Sequence, residues 1–310
     1  MISTEHKASV KFEVRSVKSE EASHFDAPAL TSNFKLETSN LKLGASLEAA
    51  QRHLHHCRLC PRDCGADRTA GERGYCGVDD KAHCFREMLH PAEEAELSPS
   101  HQVYFTGCNL RCESCTVREW NEQPLTVAPM DLEGLVQAVE RRRRQGAKNV
   151  NLLGGEPTVS LPGVLTLLQR IRTVTQVVLN SNMYYNECVD ELLRGLVDVC
   201  LADLKCGNSR CAAALLDAED YVEVARDNLR RASEHTDLIV RHLILPGHWD
   251  CCTRPTLQWL AAELPHVKVS LRANYVPPVE AHATPQRYVT SREAEAALGF
   301  ARDLGLHLIQ

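Results

Sequence analysis

The chain has 310 residues, of which 44% are hydrophobic and 25% are charged, enough for one large domain with a substantial core and a small additional segment. The formal net charge of −6 argues against a broad nucleic-acid-binding surface. No apolar stretch approaches the roughly 18 residues that a membrane-spanning helix needs, so neither nucleic acid nor membrane is an expected partner.

Residues 1–45 contain seven serines, balanced charges and no sustained apolar period, which predicts a disordered or loosely attached tail. The first twenty residues lack the apolar core of a secretory signal, so we expect a cytoplasmic protein. In that reducing compartment, the 14 cysteines are expected to bind metals or carry out redox chemistry rather than to form disulfides.

A cysteine-rich segment dominates residues 46–98. A short helix is expected from Ser46 to His56, with Ser46 as its N-cap. Turn-forming residues then surround four closely spaced cysteines: Cys57, Cys60, Cys64 and Cys76. Four thiolates can close a structural zinc site or hold a [4Fe–4S] cluster, and the segment has too little apolar material to fold without a metal. We predict one metal centre here, either zinc or iron–sulfur, with His83 and Cys84 as reserve ligands.

In residues 99–310, short apolar strands alternate with longer helical stretches. The predicted strands are Gln102–Thr106, Asn149–Leu153, Gln176–Asn180, Val197–Ala202, Asp237–Leu243, Val267–Ala273 and Leu306–Ile309. The predicted helices are Asp131–Gln145, Leu161–Thr173, Glu187–Gly195, Glu219–His235, Arg254–Leu264 and Ser291–Leu304. Gly146 and Gly305 are placed as helix stops. This alternation indicates a parallel sheet with helical crossovers, for which a (β/α) barrel, complete or partial, and a doubly wound sheet are alternatives.

Two further features of this region have plain interpretations. The basic run Arg141–Arg144 closes a predicted helix, where cations suit the helix dipole, and we interpret it as a solvated helix end rather than a docking patch for an acidic partner. Six scattered cysteines are interpreted as buried or idle thiols. They are Cys188, Cys200, Cys206, Cys211, Cys251 and Cys252.

The segment VYFTGCNLRCESCTVREWN, residues 103–121, carries cysteines spaced C-x3-C-x2-C just past the first predicted strand. In parallel α/β folds, ligand sites gather at the carboxyl ends of strands. The thiolates of Cys108, Cys112 and Cys115 suit three irons of a [4Fe–4S] cluster and leave the fourth iron open to an exchangeable ligand. A structural zinc site would need a fourth ligand, and none lies conveniently in the residues that follow, through Trp120.

The text CNLRCESC followed by GGEPT at 154–158 resembles the radical S-adenosylmethionine (SAM) superfamily. The resemblance extends over residues 50–310 to the pyruvate formate-lyase activating enzyme-like, PflX-type branch. It rests also on CRLCPRDCG (57–65), NSNMYYN (180–186), LADLKCGN (201–208) and RHLILPGHWDCCTRP (241–255). It implies an α/β fold with a partial (β/α)6-type barrel over residues 99–310 and an N-terminal cysteine-rich knuckle over 46–98.

The resemblance also implies a reaction. In this family SAM chelates the open iron, and a reduced cluster cleaves its sulfonium to give methionine and a 5′-deoxyadenosyl radical. The implied substrate is a protein or peptide, with activation of a glycyl radical enzyme as the leading specific hypothesis and flavodoxin or ferredoxin as the reducing partner. The alternatives are radical chemistry on a small metabolite and a non-catalytic iron–sulfur protein, although the latter needs no SAM pocket.

Residue roles follow from the resemblance by position. The GGE motif at Gly154, Gly155 and Glu156 is expected to hold the SAM amino group, although an isolated Gly-Gly pair would be an ordinary turn. Three further positions are implied SAM contacts: Asp203 with Lys205 at the ribose, Asn180 (or Asn182) at the ribose or methionyl part, and Arg241 at the carboxylate. The structural alternatives are a local ion pair for Asp203 and Lys205, a turn-forming role for the asparagine and a surface ion pair for Arg241.

One position departs from the family pattern. The residue before the third cysteine is commonly aromatic and packs on adenine, but here it is Ser114. Adenine packing is therefore expected from Trp120 or Val117. Asn274 and Tyr275, after the sixth predicted strand, are candidate substrate contacts at the barrel mouth, the alternative being that Tyr275 covers the barrel end.

Overall fold

Eight strands form one sheet in the computed structural model, which describes residues 41–279 and 283–309. The strands are β1 (Cys84–His90), β2 (Ser100–Phe105), β3 (Asn149–Gly154), β4 (Gln176–Ser181), β5 (Val199–Asp203), β6 (Asp237–Leu243), β7 (Lys268–Arg272) and β8 (His307–Ile309). They are hydrogen-bonded in sequence order; β1 is antiparallel to β2 and every later pair is parallel. The predicted α/β partial barrel is confirmed, and the doubly wound alternative is wrong because the strand order never reverses.

One helix, α1 (41–52), precedes the sheet, and the others lie between successive parallel strands. These are α2 (Arg118–Glu122), α3 (Leu132–Arg144), α4 (Leu161–Ile171), α5 (Glu187–Leu193), α6 (Ser209–Leu216), α7 (Tyr221–Ser233), α8 (Arg254–Glu263) and α9 (Ser291–Asp303). All seven predicted strands and six predicted crossover helices are present within two residues at each end. Strand β1 and helices α2 and α6 were not predicted. Strand β1, CFREMLH, has no clean alternation of apolar and polar residues, because pairing with β2 rather than a buried face holds it in place.

The first helix differs from the sequence expectation. Helix α1 is already formed at residue 41, so Ser46 lies in its interior, buried, and is not an N-cap. Residues 41–45 of the predicted tail are therefore helical, and residues 1–40 of that tail lie outside the described residues. Leu43 and Ala50 of α1 belong to the same buried apolar cluster as the sheet, which explains why helix here extends further than the local signals indicate.

Helix α3 shows how local signals and packing agree. The Asp131 side chain caps its first turn by accepting from the Gly134 amide at 3.0 Å, and Gly146 ends it with a φ of 96°. The basic run at its end is not simply solvated. Arg142 donates two hydrogen bonds to the carboxylate of Glu87 in β1, from Nε and Nη2, both at 2.9 Å. Arg141 donates to the same carboxylate at 3.1 Å.

The inner face of the sheet changes character from one end to the other. Near the amino ends of the strands, an apolar plug closes the barrel: Leu97, Val178, Val199, Leu201 and Ile239, with Ile309 packed against them. Two residues further along β5 and β6, the inward positions are Asp203 and Arg241, which are register partners. Because side chains two apart share a face, β4, β5 and β6 each contribute an apolar residue to the plug and a polar one above it. The barrel is thus filled at one end and polar at the other.

Among the described residues, none of the helices combines the length and the apolar character that crossing a bilayer would require.

Candidate functional site

A cavity of about 520 Å³ lies at the carboxyl ends of the parallel strands. Nine of the predicted cluster and SAM residues line it: Cys108, Cys112, Cys115, Gly154, Gly155, Asn180, Asp203, Lys205 and Arg241. These residues span more than 130 positions of sequence, but they lie at or near the carboxyl ends of five neighbouring strands, β2 to β6. The fold therefore brings the separate motifs to one place, as the parallel topology requires.

The loop after β2, residues 106–117, carries the three cysteines of this cavity. Its backbone is anchored on the end of α6, because the amides of Arg111 and Glu113 donate to the carbonyls of Leu216 and Leu215 at 2.9 and 3.0 Å. Cys108 is buried, whereas Cys112 and Cys115 are partly exposed toward the cavity. The unpredicted helix α6 thus serves as the platform for the cysteine loop.

Amide groups are directed at the sulfur atoms of this loop. The Leu110 backbone N–H lies 3.4 Å from Cys108 Sγ, the Asn182 side-chain amide lies 3.6 Å from the same sulfur, and Asn121 Nδ2 lies 3.3 Å from Cys115 Sγ. Such donors stabilise negative charge on sulfur and tune a bound metal centre. Asn182 was predicted only as the weaker alternative to Asn180, and Asn121 was not predicted at all, since neither follows a recognisable spacing.

The glycine pair joins the ends of β2 and β3. A Cβ on Gly154 would lie 2.2 Å from the Phe105 carbonyl oxygen, and one on Gly155 would lie 1.9 Å from the Gly107 carbonyl oxygen. The φ of Gly154 is +129°, a conformation that side chains rarely allow. Hydrogen bonds cross the junction from the Gly155 amide to Phe105 at 2.8 Å and from the Glu156 amide to Gly107 at 2.9 Å. Both glycines face the cavity, and both are needed for this close approach.

Glu156 is placed differently from the sequence expectation. Its carboxylate is fully buried, does not line the cavity, and accepts from Thr158 Oγ1 at 2.8 Å, Ser181 Oγ at 2.9 Å and the Asn182 amide at 2.8 Å. Burial raises the pKa of Glu156, although these donors oppose the shift. The side chain therefore fixes the end of β4, including Asn182, and only the two glycines of the motif reach the cavity.

Asp203 and Lys205 form an ion pair at the cavity wall. Lys205 Nζ lies 2.7 Å from Asp203 Oδ2, which is the local pair that sequence reasoning left as an alternative. Burial would lower the pKa of Lys205, but the charge of Asp203 outweighs it and raises that pKa. Lys205 is therefore a cation close to Cys112, whose thiol pKa burial raises to about 11 while Lys205 opposes the shift.

Arg241 lines the cavity but is held by two glutamates that were not predicted. Its Nη2 lies 2.5 Å from Glu93 Oε1 and 2.8 Å from Glu94 Oε2, and Arg272 Nη2 reaches Glu94 Oε1 at 2.8 Å. It is thus not a surface ion pair. Burial raises the pKa of Glu93, with the charge of Glu94 adding to it. For Glu94 burial acts in the same direction, but Arg241 and Arg272 outweigh it and hold the pKa well below its usual range. The sequence signal for these glutamates was only the acidic text PAEEAE before β2.

Of the two residues predicted to pack on adenine, only one lines the cavity, and both residues predicted at the barrel mouth line it. Val117 and Ser114 line the cavity, whereas Trp120 stacks on Phe85 with ring centroids 4.3 Å apart and is not part of the lining. Asn274 and Tyr275 both line the cavity. Tyr275 is buried and its hydroxyl donates to the Pro285 carbonyl at 2.7 Å, so it also covers the barrel end, as the alternative interpretation held.

The upstream cysteines occupy a knuckle that is docked on the barrel. The amide of Cys57 donates to the Ala66 carbonyl at 3.0 Å, closing a tight loop. Burial raises the pKa of the Cys60 thiol to about 12, and the nearby Cys76 and Cys57 add to the shift. Cys64 lies against Gly74, where a Cβ would stand 2.2 Å from its sulfur. The four residues are therefore neighbours, and one shared metal centre stays a prediction.

The two reserve ligands lie apart from that group. The ring of His83 contacts Asp79 through Nε2 at 3.0 Å and the Val127 carbonyl through Nδ1 at 2.7 Å, so both nitrogens are engaged. Cys84 is the first residue of β1. A buried cation lies near the first cysteine instead: Arg68 is 2% exposed, and its Nη1 lies 4.0 Å from Cys57 Sγ.

Comparison with known proteins places this geometry in context. Residues 103–260 match the family model of the Radical SAM superfamily. The chain is 32% identical over 277 residues to an uncharacterized protein of Methanocaldococcus jannaschii, covering 86% of this chain and 80% of that protein.

Solved structures share the fold. Streptococcus suis SuiB bound to S-adenosylmethionine is similar with a TM-score of 0.50 and 14% identity, over 65% of this chain and 47% of SuiB. SuiB bound to its precursor peptide SuiA gives 0.50 and 12%, over 65% and 46%. This chain thus spans about half the length of SuiB. A domain of a pyruvate-formate lyase-activating enzyme from Bacteroides vulgatus is similar at 0.42 and 17%, over 52% of this chain and 96% of that domain.

Proposed function

This chain belongs to the radical SAM superfamily, and from that membership we propose that it cleaves S-adenosylmethionine reductively and abstracts hydrogen from a protein or peptide. The observation that carries the proposal is the convergence of three cysteines, two sterically required glycines and the Asp203–Lys205 pair on one cavity of about 520 Å³. That volume lies in the range of cofactor-sized pockets.

The side chains present fit a [4Fe–4S] cluster on Cys108, Cys112 and Cys115. Three thiolates leave one iron open, and two of these sulfurs accept the amide hydrogens of Leu110, Asn182 and Asn121 as metal-bound thiolates do. When bound, the reduced cluster supplies one electron to the SAM sulfonium, whose cleavage gives methionine and a 5′-deoxyadenosyl radical.

The cavity wall also fits the polar parts of SAM. Asn121 Oδ1 is a buried acceptor with no hydrogen-bond partner among the described residues, and it stands 2.3 Å from where a Gly155 Cβ would lie, so it faces the glycine pair. With the carbonyls of Gly154 and Gly155 it would accept from the SAM ammonium group. Asp203 would accept from the ribose hydroxyls with Lys205 holding its orientation, Asn180 would contact the ribose or methionyl part, and Val117 would pack on adenine.

Arg241 would offer its guanidinium to the SAM carboxylate. Glu93 and Glu94 occupy the donors of its Nε and Nη2, whereas Nη1 lies 3.9 Å from Asp203 Oδ1. A bidentate contact would therefore require one of the glutamates to release Nη2. Since burial raises the pKa of Glu93, this carboxyl is the partner that gives way more easily by taking up a proton. Glu94 would then remain as the fixed counter-ion of Arg241.

Exposed apolar residues at the cavity mouth favour a polypeptide substrate. Val276 lines the cavity and is 59% exposed, and Val279, three residues on, is fully exposed. An extended peptide could cover both, and SuiB, which is similar in fold, has been solved bound to its precursor peptide SuiA. Activation of a glycyl radical enzyme is the leading specific proposal, with flavodoxin or ferredoxin as electron donor and a second metal centre at Cys57, Cys60, Cys64 and Cys76.

A second candidate, radical chemistry on a small metabolite, is favoured by the charges lining the cavity. Glu93, Arg241 and Arg272 all line it and would suit a small substrate that carries both charges. Since these groups also hold one another, we rank this candidate below a peptide.

One experiment tests the proposal and separates the candidates. The protein is reconstituted anaerobically with iron and sulfide, reduced, and mixed with unlabelled SAM. Deuterated cell peptides are added in one reaction and deuterated metabolites in another. Mass spectrometry of the 5′-deoxyadenosine product then shows which pool donated deuterium. We expect methionine and 5′-deoxyadenosine, with deuterium transferred from the peptide fraction. Transfer from metabolites alone would favour the second candidate, and no SAM cleavage would contradict both.

A further inference from the structure

Four side chains outside the cavity cysteines form a compact group of metal-ligand type. They are Cys211 of α6 and His248, Cys251 and Cys252 of the segment after β6. One ligand atom from each lies within 4.8 Å of all the others. Cys211 and Cys252 are buried, and His248 and Cys251 are partly buried. We did not predict this group from the sequence, where Cys211 lies 37 residues from His248.

The distances within the group match one tetrahedral ion. His248 Nδ1 lies 3.8 Å from Cys211 Sγ, 3.4 Å from Cys251 Sγ and 4.0 Å from Cys252 Sγ. Zinc bonds of about 2.3 Å to sulfur and about 2.0–2.1 Å to nitrogen, at tetrahedral angles, place ligand nitrogen and sulfur about 3.6 Å apart. A [4Fe–4S] cluster would instead place a cube of iron and sulfide between its thiolates, and ligands so close together leave no room for it.

The backbone is shaped to present these side chains together. Residues Trp249–Thr253 form one π-helical turn, in which the amides of Cys252 and Thr253 both donate to the His248 carbonyl, at 2.9 and 3.1 Å. Such turns are rare and are frequently found at functional sites. His248, Cys251 and Cys252 are related as i, i+3 and i+4, so the helical turn places all three side chains on one face.

Residues of the segment after β5 hold that turn in place. Asn208 Nδ2 donates to the Cys251 carbonyl at 2.5 Å while Asn208 Oδ1 accepts from the Cys211 amide at 2.8 Å, so a single side chain joins both halves of the group. A Cβ on Gly207 would lie 2.5 Å from the Cys252 carbonyl oxygen and 2.8 Å from its Cα. Only glycine permits this approach, and the four ligands are therefore preorganised.

We propose that Cys211, His248, Cys251 and Cys252 bind a single zinc ion in a closed Cys3His site. Three thiolates and one imidazole are the ligand set that zinc prefers for structural sites, and binding releases the three thiol protons to solvent. With four protein ligands, no position stays open for a reactant. The ion's role is therefore to join two loops.

Both loops contribute to the cavity wall, through Lys205 and Cys206 after β5 and Leu245 after β6. The first loop begins directly after Asp203, and the second follows the strand that carries Arg241. Cys206, which lines the cavity, hydrogen-bonds to Cys252. A zinc ion here would fix the separation of the proposed ribose-binding and carboxylate-binding positions. The assignment of these ligands does not depend on the proposed SAM chemistry, because none of the four lines the cavity.

The test locates zinc in the unmodified protein. Crystals of anaerobically purified protein are measured just above and just below the zinc absorption edge, and again at the iron edge. We expect a zinc-specific anomalous peak among the four side chains. An iron peak at this position, a disulfide between these cysteines, or no anomalous scatterer there would each overturn the proposal.

Metal analysis of variants provides the matched comparison. Cys251→Ser/Cys252→Ser should lose about one zinc ion per chain while the iron content stays unchanged. Cys206→Ala, beside the site but outside the ligand set, and Cys84→Ala, on β1, should keep that zinc. A double variant with wild-type zinc content would contradict the assignment. If the double variant does not fold, the anomalous peak in the unmodified protein decides the question.

Discussion

Gly155 is the residue at which the loop after β3 comes closest to the cysteine loop after β2. The Gly107 carbonyl lies 1.9 Å from where its Cβ would be, and Asn121 lies on the other side. The neighbouring Asn121 and Asn182 direct amide hydrogens at Cys115 and Cys108. At the scale of single residues, the surroundings of the cysteine loop therefore depend on a missing side chain and on two side-chain amides.

Gly155→Ala tests that steric requirement. The added methyl group overlaps backbone, which cannot rotate away, so the cysteine loop must move and the cluster should be retained poorly. We expect reconstituted iron to fall by as much as about four per chain relative to the wild type, with a destabilisation of about 1–3 kcal/mol.

The matched control is Gly299→Ala in α9, where nothing lies within 4 Å of the added carbon. This change should leave iron content unaltered and stabilise the protein by about 0.5–1 kcal/mol, because alanine loses less backbone entropy in a helix. Full iron content and SAM cleavage in Gly155→Ala would refute the proposed packing constraint.

Cys108→Ala, Cys112→Ala and Cys115→Ala should each abolish SAM cleavage, because an iron without its thiolate makes the cluster labile. The readout is 5′-deoxyadenosine formed per chain after anaerobic reconstitution. Cys84→Ala, a partly buried cysteine of β1 outside the cavity, should retain activity. Retained cleavage in any of the three cavity variants would refute the ligand assignment.

At the scale of elements, the connection between β1 and β2 acts as a polar wedge in the barrel. Glu94 in this connection is fully buried and accepts from Arg241 of β6, Arg272 and Ser270 of β7. The wedge ties the first part of the sheet to its last strands across the interior. Since buried charges are costly unless paired, both arginines depend on this carboxylate to remain where they are.

Glu94→Gln should therefore lower the free energy of unfolding by about 3–5 kcal/mol at neutral pH, the usual cost of removing one partner of a buried ion pair. The pKa of Glu94 is depressed in the folded state, so its contribution is complete above the unfolded value of about 4.3 and is lost as the pH falls further toward the folded value. Urea unfolding of both proteins across this range should show the difference shrinking in acid.

Glu96→Gln is the control for that measurement. Glu96 pairs with Lys268 at 2.8 Å near the surface, where such pairs contribute about 0–1 kcal/mol. A pH-independent difference between wild type and Glu94→Gln, or one no larger than that of Glu96→Gln, would contradict the proposed wedge.

At the scale of the whole molecule, the knuckle is held against the barrel and the cysteine loop. Arg62 Nε donates to the Asn109 carbonyl of the cysteine loop at 2.9 Å, and the Asn186 amide donates to the Leu59 carbonyl at 3.0 Å. Cys57 and Leu59 are buried in the same apolar cluster as the sheet. The knuckle is therefore docked on the barrel by backbone contacts, while its own internal shape rests on turns and cysteines.

Cys60→Ser/Cys64→Ser tests the predicted second centre. The double change should remove about one zinc or about four irons per chain, while the SAM-site cluster survives because its three ligands are separate. The zinc proposed at Cys211, His248, Cys251 and Cys252 should also remain.

Cys188→Ser serves as the control, since its sulfur lies 3.9 Å from the Arg58 carbonyl beside the knuckle but outside the ligand set. Metal analysis together with the electronic spectrum distinguishes the two kinds of centre. An unchanged metal content in the double variant would show that the four cysteines share no metal.

The sequence by itself determined the order of most strands and helices and the three cavity cysteines, through local signals: apolar periodicity, a glycine stop such as Gly146, or a fixed spacing such as Cys108 to Cys115. Local signals left a barrel and a doubly wound sheet as alternatives, and only the family resemblance implied the partial barrel. Strand β1 escaped detection because it is held by pairing with β2, and Ser46 was misread because packing of Leu43 extends the helix beyond the local cap signal.

Only the tertiary structure decided which distant residues meet. Glu94 and Arg241 are 147 positions apart, and Cys211 and His248 are 37 positions apart. Their encounters follow from the parallel register that sets Asp203 beside Arg241 and from the turn that each following segment makes. No local pattern encodes such a contact, because it results from the sum of many backbone pairings. The same reason explains why Glu156, placed correctly in a motif, directs its carboxylate to β4 instead of the cavity.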